Sequence, residues 1–143
     1  MKKILLLMLF VCSITYSCLP DDSDSGAEPD GPTISNIKFE VTTTRNTEGI
    51  ITTTINNDTE TEEVENLPYS RTYAQVELES GIYFKLTFLE NGTYSASSGG
   101  GTSWTDYTAV LTISIDNVVV RTEIFNINED NASTVREIDL TVN

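Results

Sequence analysis

The chain has 143 residues, which suits one domain with one hydrophobic core. It carries 8 basic against 22 acidic side chains, a formal charge of −14, and no histidine. Such acidity repels phosphate backbones and excludes nucleic acid as a partner. Without histidine, Ser-His-Asp triads, Cys-His dyads and His-based zinc sites are all excluded.

The N-terminus reads as an address. Met1-Lys2-Lys3 is a short basic region, and Ile4 to Cys12 follows as nine apolar residues. That run is too short for a bilayer core of about 30 Å, which needs about 20 apolar residues. It has the length of a signal-peptide core. Ser13 to Ser17 then leads to Cys18. Ser17-Cys18 resembles the lipobox of bacterial lipoproteins, with a small residue before the cysteine. Tyr16 and Thr15 depart from the usual small residue and Leu, and such relaxed lipoboxes resemble those of the Bacteroidota. The resemblance implies that residues 1–17 are a lipoprotein signal peptide. Cys18 then carries the lipid, several acyl chains at about 0.8 kcal/mol per buried methylene, and the membrane is the first partner. Removal of Lys2 and Lys3 leaves 6 basic against 22 acidic groups, or −16. Cys12 leaves with the leader, so the mature domain has neither a free thiol nor a disulfide.

Residues 18–33 read as the lipidated cysteine and an acidic flexible tether. Asp21, Asp22, Asp24, Glu28 and Asp30 share it with three prolines and two glycines, and no basic residue. Such a segment buries too little apolar surface to fold. Fully extended, it reaches at most about 46–50 Å. The acids after Cys18 resemble the export signal of surface-exposed Bacteroidota lipoproteins, which implies an outer-membrane anchor and exposure at the cell surface. A generic acidic spacer is the other reading.

Residues 34–143 read as strands throughout. Ile37, Phe39 and Val41 alternate with polar neighbours, Arg45 to Gly49 turns, and Ile51, Thr53 and Ile55 form a returning strand. Asn56 to Glu65 is acidic and loop-like, with a short edge strand near Val64. Tyr69 to Leu78 is extended, Ser80-Gly81 turns it, and Ile82 to Leu89 is strongly apolar. Asn91-Gly92 is a hairpin dipeptide, so Thr93 to Ala96 should return. Gly99-Gly100-Gly101 marks a flexible loop. Ala109–Ile115 and Val118–Phe125 flank Asp116-Asn117. A two-residue hairpin there pairs Ile115 with Val118 and Ile113 with Val120. It also puts Val118, Val120 and Ile124 on the face of Leu111 and Ile113. Asn126 to Ser133 is a polar loop, and Ile138, Leu140 and Val142 end the chain as a strand. The fold class is all-β: a single Ig-like β-sandwich of about seven to eight antiparallel strands.

Two segments also carry a family resemblance. Asn66-Leu67-Pro68-Tyr69-Ser70-Arg71-Thr72-Tyr73 looks like a Leu-Pro-Trp-Ser-Lys-Thr-Phe segment of small Bacteroidota lipoproteins. Those are similar to the soluble domain of the MmpS family. Ile113-Ser114-Ile115-Asp116-Asn117-Val118-Val119-Val120 resembles that family's Ile-x-Val-Asp-Gly-x-x-Val, with Asn117 in place of Gly. The resemblance implies a sandwich without catalytic residues and, as an alternative function, an accessory subunit of an envelope transport system. MmpS proteins use a transmembrane helix where this chain shows a lipid anchor.

No residue is assigned to catalysis, cofactor or metal. Glu60, Glu62, Glu63 and Glu65 crowd one segment, whereas a glycosidase needs two carboxylates facing across a cleft. They read as a solvated edge. Cation binding there, or at Asn128-Glu129-Asp130, rests on oxygen density alone. Tyr94, Trp104 and Tyr107 flank the glycine loop and are the candidate ligand contacts, since exposed Trp and Tyr stack on sugars or anchor protein partners. The alternative is that Trp104 caps the core beside Phe84 and Phe88. The expected function is a non-enzymatic, membrane-anchored interaction module for an envelope protein or glycan, with a small glycan hydrolase as the least favoured reading.

Overall fold

A computed structural model describes residues 32–91 and 104–143. The leader, Cys18, the acidic tether up to Gly31, the return strand expected at Thr93 to Ala96, Tyr94 and the glycine loop lie outside the described residues. Eight strands form: β1 (Thr33–Thr43), β2 (Gly49–Ile55), β3 (Asp58–Val64), β4 (Tyr69–Leu78), β5 (Tyr83–Glu90), β6 (Tyr107–Ile115), β7 (Val118–Ile127) and β8 (Arg136–Thr141). They make two four-stranded antiparallel sheets, ordered β4-β1-β6-β7 and β3-β2-β5-β8. The chain is a β-sandwich.

Alternation builds the core. Ile37, Phe39 and Val41 of β1 and Leu111 and Ile113 of β6 point inward and meet Ile51, Phe84, Leu86, Phe88 and Ile138 from the other sheet. Lys38 and Glu40 point outward and pair at 2.8 Å. Thr, Val and Ile dominate because branched side chains fit a pleated, half-buried surface.

Three expectations change. β2 does not return alongside β1: β1 pairs with β4 and β6, while β2 pairs with β3 and β5 in the opposite sheet. Two half-apolar strands can satisfy alternation side by side or face to face, and here they stack. The segment read as a loop at Asn56 to Glu65 holds a complete edge strand, β3. Its residues pair with β2 from Gly49↔Val64 to Ile55↔Asp58 around a turn at Asn56, φ 53°.

The β6–β7 hairpin forms at Asp116 and Asn117, with φ 48° and 67°, the two positive values of a type I′ turn. Ile115 pairs with Val118 as expected, but Ile113 pairs with Arg121 and not Val120. A bulge at Val120 takes up one residue and reverses the faces beyond it. Ile124 therefore lies on the outer face, and Arg121 and Glu123 take the inward positions. β7 also runs on to Ile127, which is buried, so the polar loop starts at Asn128. Both edges of β5 are occupied, by β2 and β8. No helix among the described residues is long and apolar enough to cross a membrane.

Candidate functional site

The edges of β3 and β4 face each other across one open side of the sandwich. Between them lies a cleft of about 800 Å³, within the size range of small-ligand sites. β2 supplies Thr53 and Ile55, the following turn Asn57, β3 Asp58, Thr59 and Glu60, and β4 Tyr73 and Val76.

A bulge in β4 shapes the apolar wall. Ser35 pairs with Val76 and Ile37 with Tyr73, so Asn36 alone opposes Ala74 and Gln75. Gln75 takes φ 58°, and its N–H donates to Asn36 Oδ1 at 3.4 Å. In a regular strand, residues 73 and 76 would face opposite ways. The extra residue turns both Tyr73 and Val76 into the cleft.

The polar wall is ordered around Tyr73. Its hydroxyl donates to Glu60 Oε2 at 2.6 Å, and Thr53 Oγ1 lies 2.6 Å from the same oxygen. A tyrosine has one proton to give, so Thr53 is the donor in the second bond. Arg71 reaches Glu60 at 2.6 Å, also pairs with Glu62, and lies 5.2 Å from the centre of the Tyr73 ring. Burial first, and the hydrogen bond to Glu60 second, raise the Tyr73 pKa above its usual value. Neighbouring Tyr69 is pushed up to about 12 by burial, with smaller contributions from Tyr73 and Glu60. Both phenols therefore stay neutral at ordinary pH. The fixed charges at the cleft are carboxylates, with Arg71 as the counterweight.

The aromatic candidates lie at a different place. Tyr107 is 4% exposed, and its hydroxyl donates to Glu90 Oε2 at 2.7 Å. The Glu90 side chain, itself 6% exposed, also accepts from Arg45 at 2.6 Å and Thr47 at 3.0 Å. Arg45 stands 4.3 Å from the Tyr107 ring centre and 4.5 Å from that of Trp104. Trp104 packs partly buried against the core, and its indole N–H donates to Asp106 at 2.8 Å. The arrangement closes one end of the sandwich. It gathers Trp104 and Tyr107 around Arg45, and Tyr94 lies outside the described residues.

The acidic segments are also tied into local structure. Arg71 holds Glu60 and Glu62. In the loop after β7, Asn128 and Asn131 cap each other's backbone N–H at 3.0 and 3.1 Å. Among the described residues, no group of three or more His, Cys, Asp or Glu is placed to hold a metal ion.

The cleft is not legible in the sequence, where Asn56 to Glu65 reads as a loop with a short edge strand near Val64 and Tyr73 as an ordinary sheet residue. One signal was present: Asp58, Glu60 and Glu62 alternate with Thr59 and Thr61, a period of two written in polar residues. The chain matches no family model, no curated protein and no solved structure.

Proposed function

We propose that the protein is a non-enzymatic binding module, held at the outer membrane by lipid on Cys18, whose ligand enters the β2–β3–β4 cleft. The observation that carries this reading is the cleft itself: Val76 and the Tyr73 ring come from β4, and Ile55, Asp58 and Glu60 from the facing β2–β3 pair. This lining suits an uncharged or cationic ligand with an apolar side, and carboxylates disfavour an anion. Asp58 and Glu60 are alternate residues of one strand, so they stand side by side on the same wall. Glycoside cleavage needs two carboxylates flanking the bond from opposite sides.

The test is a nuclear magnetic resonance titration of the mature chain with neutral oligosaccharides and Lys-rich peptides in separate arms. Binding should move the Tyr73 and Val76 signals, and Asp58→Asn with Tyr73→Phe should weaken it. If neither ligand class moves the cleft signals, the site assignment fails. The anchor has its own test. Cys18→Ala should release the protein from membranes or leave the precursor unprocessed, and unchanged mass and membrane partition would refute it.

A further inference from the structure

The free edge of β7 carries an unusual pattern. Among the described residues, β7 borders the β4-β1-β6-β7 sheet and has β6 as its single hydrogen-bonded neighbour. Val118 is 65% exposed, Val119 56%, Val120 39% and Ile124 67%. An edge strand offers unpaired N–H and C=O groups, and apolar side chains on it invite pairing with another chain. At the middle of this edge sit Arg121 and Glu123, which pair with each other at 3.2 Å and flank Thr122.

We propose that β7 is a self-association edge, on which a second copy of this chain pairs antiparallel about a two-fold axis at Thr122. In that register Arg121 stands opposite Glu123 of the second copy, and Glu123 opposite its Arg121. Val120 meets Ile124, and the bulge at Val120 ends the matched register there. Every contact occurs twice, as an isologous interface requires. Directly opposed charges of opposite sign stabilise a strand pair, and like charges destabilise it. Moving the axis to residue 121 sets Arg against Arg, and moving it to 123 sets Glu against Glu. The Thr122 register is thus selected by charge.

The other edges do not offer this. A two-fold at Ile138 of β8 sets Glu137 against Asp139, and β3 is acidic along its length. On β4 the bulge at Gln75 falls between its two charged residues, Arg71 and Glu77, whereas the Val120 bulge lies outside residues 121–123 of β7. The Val120 bulge and the inward charges on β7 are devices that deter indiscriminate pairing. They leave a partner with the charges exchanged, which the chain itself provides. Pairing along one strand is a small contact, at the weak end of specific interfaces.

Sedimentation of the mature chain over about 5–500 µM tests the idea, a range spanning weak association. A monomer–dimer equilibrium is expected, shifting toward dimer as salt screens the −16 charge of each copy. Arg121→Glu alone or Glu123→Arg alone should shift the midpoint at least about tenfold toward monomer. The double exchange R121E/E123R restores opposite charges in the same register and should restore the dimer. Ile124→Lys should also abolish it, and far-ultraviolet circular dichroism of each variant reports the fold. A monomer at every concentration, a dimer indifferent to the single reversals, or a double exchange that fails to recover would each overturn the proposal.

Discussion

Glu90 ties together one end of the sandwich. Its buried carboxylate accepts hydrogen bonds from Arg45, Thr47 and Tyr107, drawing the β1–β2 connection onto β5 and β6. Glu90→Ala leaves the Tyr107 hydroxyl unpaired and the Arg45 guanidinium without its carboxylate, held by the Thr105 carbonyl at 2.9 Å and two aromatic faces. Truncating one member of a buried pair costs about 3–5 kcal/mol, and partial exposure of Arg45 places the expected loss near about 3. Urea denaturation measures it, and a loss under about 1 kcal/mol would mean that water replaces the carboxylate without penalty. The tyrosines set a second expectation. Below pH 10 they are protonated in both folded and unfolded chains and do not make stability depend on pH. Above it the unfolded chain releases protons that folded Tyr69 retains up to about 12, so stability falls as pH rises between those values. Tyrosinate absorbance should rise together with loss of secondary structure, and Tyr69→Phe should weaken the coupling. Gradual ionisation in a fully folded chain would contradict it.

Strands written in apolar residues were legible in the sequence, and strands written in charges were not. Tyr69–Leu78 and the β6–β7 turn emerge with their observed bounds, because alternation and the Asp116-Asn117 pair are local signals. β3 pairs on one edge with β2 and writes its period of two in polar residues, so its glutamates read as a solvated edge with a strand only near Val64. Sheet assignment was equally hidden: alternation in β1 and β2 says that each has one buried face, not that the faces oppose. The bulges at Gln75 and Val120 were hidden as well. Each shifts the faces beyond it by one residue, one turning Tyr73 and Val76 into the cleft and the other putting Ile124 on the outer face. Close approach between elements yields a sharper expectation at Gly49. A Cβ there would lie 2.4 Å from Phe88 Cε2 and 3.1 Å from the Leu89 carbonyl oxygen. Phe88 is fully buried and has no room to yield. Gly49→Ala should therefore cost about 1–3 kcal/mol, read as a shift of the denaturation midpoint at constant slope. A neutral result would show that β2 and β5 can slide apart without loss.

Taken whole, the described residues form a sandwich holding far more negative than positive charge, and most of its cations are paired locally: Lys38 to Glu40, Arg45 to Glu90, Arg71 to Glu60 and Glu62, Lys85 to Glu137, and Arg121 to Glu123. Two opposed electrostatic effects then depend on salt. Screening weakens the exposed ion pairs, each worth about 0–1 kcal/mol. It also relieves repulsion among the surplus carboxylates, which acts over a Debye length of about 30 Å at 0.01 M and about 8 Å at 0.15 M. The second effect should win, because unpaired acids outnumber pairs and their repulsion sums over the molecule. The thermal midpoint should rise between those salt concentrations. A gain of about 1 kcal/mol corresponds to about 4–8 °C for a domain of this size. A falling midpoint would mean that the ion pairs, and Arg71 at the cleft above all, hold the sheets together more strongly than the surplus charge drives them apart. The same titration bears on the cleft. A cationic ligand should bind more weakly as the protein itself grows more stable, whereas a neutral ligand should be indifferent to salt, so the two salt responses together separate stability from recognition.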